Sequence, residues 1–274
     1  MTTTISISSL KGGVGKTSVT LGLASAALAQ GKRVLVIDLD PHADSSTGLA
    51  VDTRTACDVG TALLDKNISF DKALSTSAWG RVPLPEGADI KVLRGSAMSS
   101  RFDALTYKQT LYLLSQKLES IKEDFDLILI DCPPTLSRLT ATAWATSDRV
   151  IAIAEPTLFS VAGTERTLRA IAQFEANSPY RVESASIVVN RYNRNSPEHR
   201  FRMDELRDTY GDLVAHTVLP ETPEVQSAHG AAFPLHFWRK SDLSEHAQLY
   251  TRLLAGLLAE AQPTVSTETA TTDR

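Results

Sequence analysis

Short apolar runs alternate with longer amphipathic segments along most of the chain. Thr4–Ser9 is short and β-prone, Arg33–Asp38 is almost wholly apolar, and Leu127–Ile130 has the same character. Such runs are typical of strands buried on both faces of a parallel sheet. Further strands are predicted at Ile90–Leu93, Val150–Ala154, Ile187–Val189 and Val214–Leu219.

Helical patterns separate most of these strands. Thr17–Gln30 is rich in alanine and leucine and is stopped by Gly31. Leucines and isoleucine recur at helical spacing before the Leu127 strand and near the end of the chain, at Leu111, Leu114, Leu118, Ile121, Leu249, Leu253, Leu257 and Leu258. This alternation predicts an α/β fold with a doubly wound, mostly parallel sheet flanked by helices, and ligands at the carboxyl ends of the strands.

The pattern fits one domain over residues 1–261. Residues 262–274 are poor in apolar side chains and are expected to form a disordered tail. Residues 52–88 are the least regular stretch, and we expect a helical connection followed by an irregular loop around Pro83 and Pro85.

Composition narrows the class of protein. With 42% hydrophobic and 22% charged residues, the chain matches a globular domain. Lys and Arg total 28 against 32 Asp and Glu, a net charge of -4, so any nucleic-acid contact must come from a local basic patch. Cys57 and Cys132 stand far apart without metal-ligand spacing, which argues against a zinc site and favours a reducing compartment.

No segment has the character of a membrane anchor. Apolar stretches such as Val150–Ala154 fall far short of the roughly 20 residues that a bilayer span needs, and the N-terminus lacks the basic start of a signal peptide. The segment Ser244–Gln262 has an apolar face but only Arg252 as a cation, so packing against the sheet explains it better than a membrane surface. We therefore expect a cytoplasmic protein without a membrane partner.

A glycine-rich turn, Lys11-Gly-Gly-Val-Gly-Lys-Thr-Ser18, follows the first strand and precedes the first helix. Such a turn directs backbone N–H groups and the positive end of a helix at a phosphate. Lys16 is placed to neutralise the β- and γ-phosphates, and the Thr17 hydroxyl to bind Mg²⁺. The ordinary G-x-x-x-x-G-K-[ST] pattern fails at Leu10 and carries an extra lysine, Lys11.

This departure resembles the deviant Walker A motif of the ParA/MinD family of ATPases. In that family the first lysine reaches across a dimer to the partner's nucleotide, which makes Lys11 a candidate catalytic residue together with Lys16. The resemblance implies ATP and Mg²⁺ as ligands, and it predicts nucleotide contacts along the whole turn, at Lys11, Gly12, Gly13, Val14, Gly15, Lys16, Thr17 and Ser18.

Two aspartate motifs continue the likeness. Asp38-Leu-Asp40-Pro-His42 resembles the family's DxDPQ segment, which makes Asp40 the candidate that positions the attacking water, with His42 in place of glutamine. Asp38 has either a direct role or a structural one as a cap of the following loop. The run ending in Asp131 resembles the family's Walker B strand, so Thr17, Asp40 and Asp131 are the predicted residues around Mg²⁺.

The resemblance to the family extends over approximately residues 3–258. The sequence resembles the short, Soj-like ParA class, since no helix-turn-helix segment precedes this region. By this resemblance, Asn190 and the stretch around Pro220 flank the adenine base. ParA-type proteins usually carry an arginine after that proline, where this sequence has Glu221.

An arginine-rich segment offers a candidate DNA contact. Its candidate residues are Arg191, Arg194, Arg200 and Arg202, joined by Arg239 and Lys240 further along the chain. Such a cluster can bind phosphates without reading bases; the alternative is a solvated loop and helix face.

The resemblance implies a DNA-partitioning ATPase. It would form an ATP-dependent homodimer, bind double-stranded DNA non-specifically, associate with the nucleoid when ATP-bound, and hydrolyse ATP under stimulation by a ParB-like centromere-binding protein. A second hypothesis is a positioning or regulatory switch that acts on a protein partner without DNA. A third hypothesis, a small-molecule kinase or synthetase, does not account for the presence of Lys11. The helices of residues 98–122 are the candidate partner-binding face.

Overall fold

The computed structural model describes residues 2–54, 57–105, 110–179, 182, 184–238 and 243–259. Seven strands form one sheet. They are β1 (Thr3–Ser8), β2 (Arg33–Asp38), β3 (Ser75–Thr76), β4 (Asp89–Leu93), β5 (Leu127–Asp131), β6 (Arg149–Ala154) and β7 (Ser184–Val189). Their spatial order is β3-β4-β2-β5-β1-β6-β7, and every pairing is parallel except that of β3 with β4.

Ten α-helices are described, joined by short 3₁₀ turns. They are α1 (Lys16–Ala29), α2 (Asp44–Gly48), α3 (Val59–Leu64), α4 (Phe70–Ala73), α5 (Leu113–Leu118), α6 (Arg138–Thr146), α7 (Leu158–Asn177), α8 (Pro197–Tyr210), α9 (Pro223–Gly230) and α10 (Leu243–Ala259). The doubly wound, mostly parallel α/β fold that the sequence predicts is confirmed.

Strands β2 and β5 bury side chains on both faces, which explains why their sequences are almost continuously apolar. In β2, Val34 and Val36 lie in one apolar core, whereas Leu35 and Ile37 lie in the core on the opposite face. In these two strands, burial on both sides leaves polar side chains only at the ends, at Arg33, Asp38 and Asp131. The fold therefore places the aspartates that end β2 and β5 at one edge of the sheet.

The prediction of a strand at Val214–Leu219 is wrong. The segment runs beside β7 but meets it only at an isolated bridge between Val214 and Ile187. The N–H of Ala215 donates to the carbonyl of Ile187, and the N–H of Leu219 donates to that of Val189. Between these two hydrogen bonds the segment advances by four residues, from 215 to 219, whereas β7 advances by only two, from 187 to 189. A regular ladder therefore cannot form.

The stretch 52–88 contains more structure than predicted. Helices α3 and α4 provide the helical connection, and β3 then adds a two-residue antiparallel strand through pairs of Ser75 with Val92 and Thr76 with Lys91. The C-terminal helix α10 buries Leu253 and Leu257, as its pattern predicts, and also Tyr250, whereas Leu249 and Leu258 are half-buried. It packs chiefly on α1 rather than on the sheet itself.

Candidate functional site

The predicted phosphate loop lies between β1 and α1. Gly13 and Gly15 adopt left-handed backbone angles, φ +81° and +90°, which side chains with a Cβ rarely adopt. A Cβ on Gly15 would lie 2.2 Å from Nδ2 of Asn190, so only glycine fits there. Gly15 is also the N-cap of α1. The N–H groups of the first turn have no partner within the helix and point out of its N-terminus, toward the phosphate loop.

The two lysines of the loop differ in environment. Lys16 is buried, with 7% of its surface exposed. Lys11 is half-buried, and its stem lies against α7, because a Cβ on Gly163 would come 3.2 Å from Cβ of Lys11. Within the part of the chain that the structure describes, the Lys11 ammonium forms no ion pair and no hydrogen bond. It is therefore free to contact a group outside the chain.

Thr17 and Asp131 meet as the phosphate-loop pattern predicts. The Thr17 hydroxyl donates to Oδ2 of Asp131 at 2.7 Å, and the Ser45 hydroxyl donates to the same oxygen at 2.6 Å. Oδ1 of Asp131 is buried and accepts no hydrogen bond from any described residue. An orphaned carboxylate oxygen beside a threonine hydroxyl is a donor set suited to Mg²⁺, which binds one or two protein oxygens and completes its shell with phosphate and water.

The described residues contain no group of three or more His, Cys, Asp or Glu side chains placed to hold a metal by themselves. Thr17 and Asp131 supply two side-chain oxygens, which leaves the other positions of a magnesium shell to phosphate and water. The residues present therefore fit Mg²⁺ bound together with phosphates.

Asp38 and Asp40 take different positions after β2. Asp38 is fully buried; its Oδ2 accepts from the N–H and the hydroxyl of Ser46, and its Oδ1 accepts from the N–H of Asp40. These bonds favour the role of Asp38 as a cap of the following loop and of α2. Asp40 is half-buried, and its Oδ1 accepts from the N–H of His42 at 3.0 Å.

Burial shapes the charge of both strand-end aspartates. Removal from water raises the pKa of Asp38, and the nearby carboxylate of Asp131 raises it further. Burial also raises the pKa of Asp131, while hydrogen bonds from Ser45 and Thr17 and the charge of Lys16 oppose that rise. Two buried carboxyls at adjacent strand ends favour a bound cation.

A pocket of about 250 Å³ opens beside the phosphate loop at the end of β7. Its lining includes Ser18, Asn190, Arg191, Pro220, Glu221 and Tyr250. The pocket thus brings Asn190 and Pro220, the residues expected around the base, together with Ser18 at the end of the phosphate-loop turn. Two buried polar atoms of lining residues, Oγ1 of Thr222 and Nε2 of His229, lack a hydrogen-bond partner among the described residues.

The arginine cluster is not a free cationic patch. Arg191 pairs with Glu155 at 2.6 Å, and Arg202 pairs with Glu198 and Glu205, each at 2.8 Å. Arg194 and Arg200 are exposed, and Arg200 donates to the carbonyl of Arg194. Arg239 and Lys240, with the tail 262–274, lie outside the described residues.

Several residues that complete the site lie outside the predicted set. Ser45 binds Asp131, Glu155 holds Arg191, and Gly95 approaches so closely that a Cβ there would lie 2.9 Å from Cγ of Asp38. Ser45 had a local signal, since it follows Asp40 within one motif. Glu155 and Gly95 come from distant segments, and no local sequence signal indicates their place in the site.

Comparisons with known proteins agree with this geometry. A family model described as AAA domain matches residues 2–183. The chromosome partitioning protein ParA of Caulobacter vibrioides is 29% identical over 234 residues, covering 84% of this chain and 85% of that protein. The sporulation initiation inhibitor protein Soj of Bacillus subtilis is 26% identical over 240 residues, covering 84% and 89%.

The fold has a close match among solved structures. The cobyrinic acid a,c-diamide synthase of Mycobacterium smegmatis, crystallised with an ATP analogue and magnesium, has a TM-score of 0.78 at 22% identity and covers 96% of each chain. No helix among the residues described here is long and apolar enough to cross a membrane. The family model covers well over half of the chain, and the phosphate loop carries the extra lysine, so the chain belongs to this AAA domain family and to the ParA/MinD group of ATPases with its Soj-like members.

Proposed function

We propose that the protein is a DNA-partitioning ATPase that binds ATP with Mg²⁺, dimerises around it, binds DNA non-specifically in that state and releases it after hydrolysis to ADP and phosphate. A ParB-like centromere-binding protein stimulates turnover. The observation that carries the proposal is the Lys11 ammonium, which has no partner among the described residues and begins the phosphate loop that ends at the buried Lys16.

Each residue has a task in this proposal. The N–H groups of the Gly12–Gly15 turn and the Lys16 ammonium bind the phosphates. Thr17 and Asp131 hold the magnesium ion, which when bound neutralises charge on the phosphates. Lys11 reaches the nucleotide of a second copy, so that both sites are completed only in the dimer.

Asp40 is the candidate that positions water for hydrolysis. It stands just beyond the end of β2, half-buried at the same sheet edge as Asp131, and its Oδ2 accepts no hydrogen bond from the residues described. A carboxylate with a free oxygen can orient a water molecule and accept its proton. Asp38 lacks that freedom, since both of its oxygens bind the adjacent loop.

The test uses the Asp40→Ala protein, in which the ATP dimer should accumulate. We expect it to retain a random-sequence duplex with ATP, but not with ADP or without nucleotide, and to lose the duplex steeply as salt rises. The control is Lys16→Ala, which should show no nucleotide-dependent retention. Normal ATP turnover by Asp40→Ala would overturn the catalytic assignment of Asp40.

A second candidate function is an ATP-dependent switch that acts on a protein partner without DNA. The ion pairs of Arg191 and Arg202 favour it, because they engage two of the four arginines in the segment 191–202 of the predicted DNA patch. Glu221, next to Pro220, adds a negative charge at the position where ParA-type relatives carry arginine. Dimerisation of Asp40→Ala with ATP but without DNA retention at low salt would select this function.

A further inference from the structure

Asn190 and Arg191, the two residues after β7, donate hydrogen bonds to the carbonyls of two consecutive residues in the phosphate loop. Nδ2 of Asn190 donates to the carbonyl of Val14 at 2.9 Å. Nη1 of Arg191 donates to the carbonyl of Gly13 at 2.8 Å. The side chains thus reach across 176 and 178 positions of sequence to neighbouring peptide units.

The planarity of the peptide bond gives these contacts a direction. In a trans peptide the C=O and the following N–H point in opposite directions. The carbonyl of Gly13 shares its peptide with the N–H of Val14, and the carbonyl of Val14 shares its peptide with the N–H of Gly15. Holding both carbonyls toward β7 therefore turns both N–H groups the other way, to the side where a phosphate binds.

The backbone of Arg191 is bent to make this contact. Its φ is +57°, a left-handed value that a residue with a Cβ adopts at an energetic cost. In a regular strand, consecutive side chains point to opposite faces. The left-handed turn at Arg191 ends that alternation and lets both side chains reach one loop.

Glu155 accepts a second hydrogen bond from the guanidinium of Arg191. The same Nη1 donates to Oε1 of Glu155 at 2.6 Å, so its two hydrogens serve Gly13 and Glu155. Glu155 follows β6, and its own N–H donates to the Ser160 hydroxyl at 2.8 Å, which fixes it at the start of α7. Its side chain is 18% exposed and that of Arg191 is 40% exposed, so the pair is partly shielded from water.

We propose that Asn190 and Arg191, braced by Glu155, form a clamp that presets the Val14 and Gly15 N–H groups for the β-phosphate of a nucleotide. Arg191 is then a positioning residue of the phosphate loop and not a DNA contact, which replaces its role as predicted from the sequence. The clamp rests on the proposed nucleotide binding. It explains how the phosphate loop holds its N–H groups in the binding orientation before the ligand is bound.

The clamp predicts a selective loss of affinity. Arg191→Ala should weaken binding of ADP by about tenfold, as expected for one lost charge-assisted hydrogen bond, and should change AMP binding much less. Arg191→Lys, which can still donate to one of the two acceptors, should recover part of the ADP affinity. Glu155→Gln should have a smaller effect in the same direction, since a neutral amide braces the guanidinium less.

The experiment measures ADP and AMP affinity by titration calorimetry, together with thermal unfolding of the ligand-free proteins. The matched control is Arg169→Ala, which removes the arginine of an exposed pair with Glu165 on α7. In ¹⁵N-labelled protein, the amide signals of Val14 and Gly15 should move or broaden in Arg191→Ala and stay unchanged in the control.

The outcomes separate the clamp from the function on which it rests. Arg191→Ala with wild-type ADP affinity and unchanged Val14 and Gly15 signals would overturn the clamp and leave nucleotide binding intact. Failure of the wild-type protein to bind ADP would overturn the proposed function itself. Should Arg191→Ala not fold, Arg191→Lys and Glu155→Gln decide: equal losses of ADP and AMP affinity in both would contradict a clamp on the phosphate loop.

Discussion

Asp38 and Asp131 are register partners at the ends of the parallel strands β2 and β5, and both carboxyls are buried. Their surroundings differ. The oxygens of Asp38 bind backbone and hydroxyl groups of the following loop, whereas Oδ1 of Asp131 has no partner among the described residues. A pair of buried carboxyls with one open oxygen is costly without a cation, so this edge trades folding stability for ligand binding.

The first prediction concerns Asp131→Asn. Removing one buried negative charge next to Asp38 should raise the free energy of unfolding of the ligand-free protein by about 1 kcal/mol, or about 2–4 °C in melting temperature. The same change should abolish the magnesium dependence of nucleotide binding, because the amide offers a weaker ligand. Melting curves with and without Mg-ADP measure both effects. A less stable ligand-free variant that keeps its magnesium dependence would contradict this account.

The second prediction separates two glycines of the phosphate loop. Gly15→Ala places a Cβ 2.2 Å from Nδ2 of Asn190 at φ +90°, and should lower the free energy of unfolding by about 1–3 kcal/mol. Gly12→Ala meets no atom within 4 Å and should leave that free energy unchanged. Denaturant titration of both variants measures the difference, and equal losses would show that crowding at Asn190 is not the cause.

The third prediction separates the two lysines. Lys16→Ala should weaken ATP binding by about 100-fold or more, since it removes the buried cation expected on the phosphates. Lys11→Ala should leave ATP binding by the monomer within about twofold of wild type but should prevent ATP-dependent dimerisation. Nucleotide titration and light scattering distinguish these defects. Dimerisation of Lys11→Ala with ATP would contradict a role of Lys11 across the dimer.

The central fold and the phosphate loop were predictable because their signals are local. β2 is an apolar run bounded by Gly31 and a polar motif, and its observed bounds, Arg33–Asp38, equal those predicted. Helix α1 begins at Lys16, one residue before the predicted start, because Gly15 takes the left-handed angle that precedes it. Thr17 and Asp131 also meet as expected, since a threonine after the loop lysine faces the end of the neighbouring parallel strand.

The errors arise where pairing depends on distant segments. Val214–Leu219 has the composition of a strand, but its spacing against β7 prevents a ladder. β3 has only two residues and no apolar pattern of its own, and it is a strand only because it pairs with β4. The contacts of Arg191 with Gly13 and Glu155 also depend on the folded sheet, and nothing in the sequence around Arg191 indicates them.

The last prediction concerns pH and rests on two histidines that are held neutral. Burial lowers the pKa of both His229 and His236 to about 4. Nδ1 of His236 shares a hydrogen bond with the Ser25 hydroxyl at 2.9 Å, and its Nε2 shares one with the Thr251 hydroxyl at 3.0 Å, which joins α1 to α10.

In the unfolded chain a histidine takes up a proton near pH 6.5, whereas in the folded protein these two stay neutral until about pH 4. For these two groups the unfolded state therefore binds more protons between these values, so each histidine lowers the free energy of unfolding as pH drops through this window. The raised pKa values of Asp38 and Asp131 act in the opposite direction. Each histidine contributes up to about 1.4 kcal/mol per pH unit there. Between pH 7 and 4, denaturant titration should show that acidification lowers the free energy of unfolding less in His236→Gln than in the wild-type protein. His216→Gln, at an exposed position, should not show this difference. An equal slope in His236→Gln and the wild-type protein would show that His236 is not held neutral by the fold.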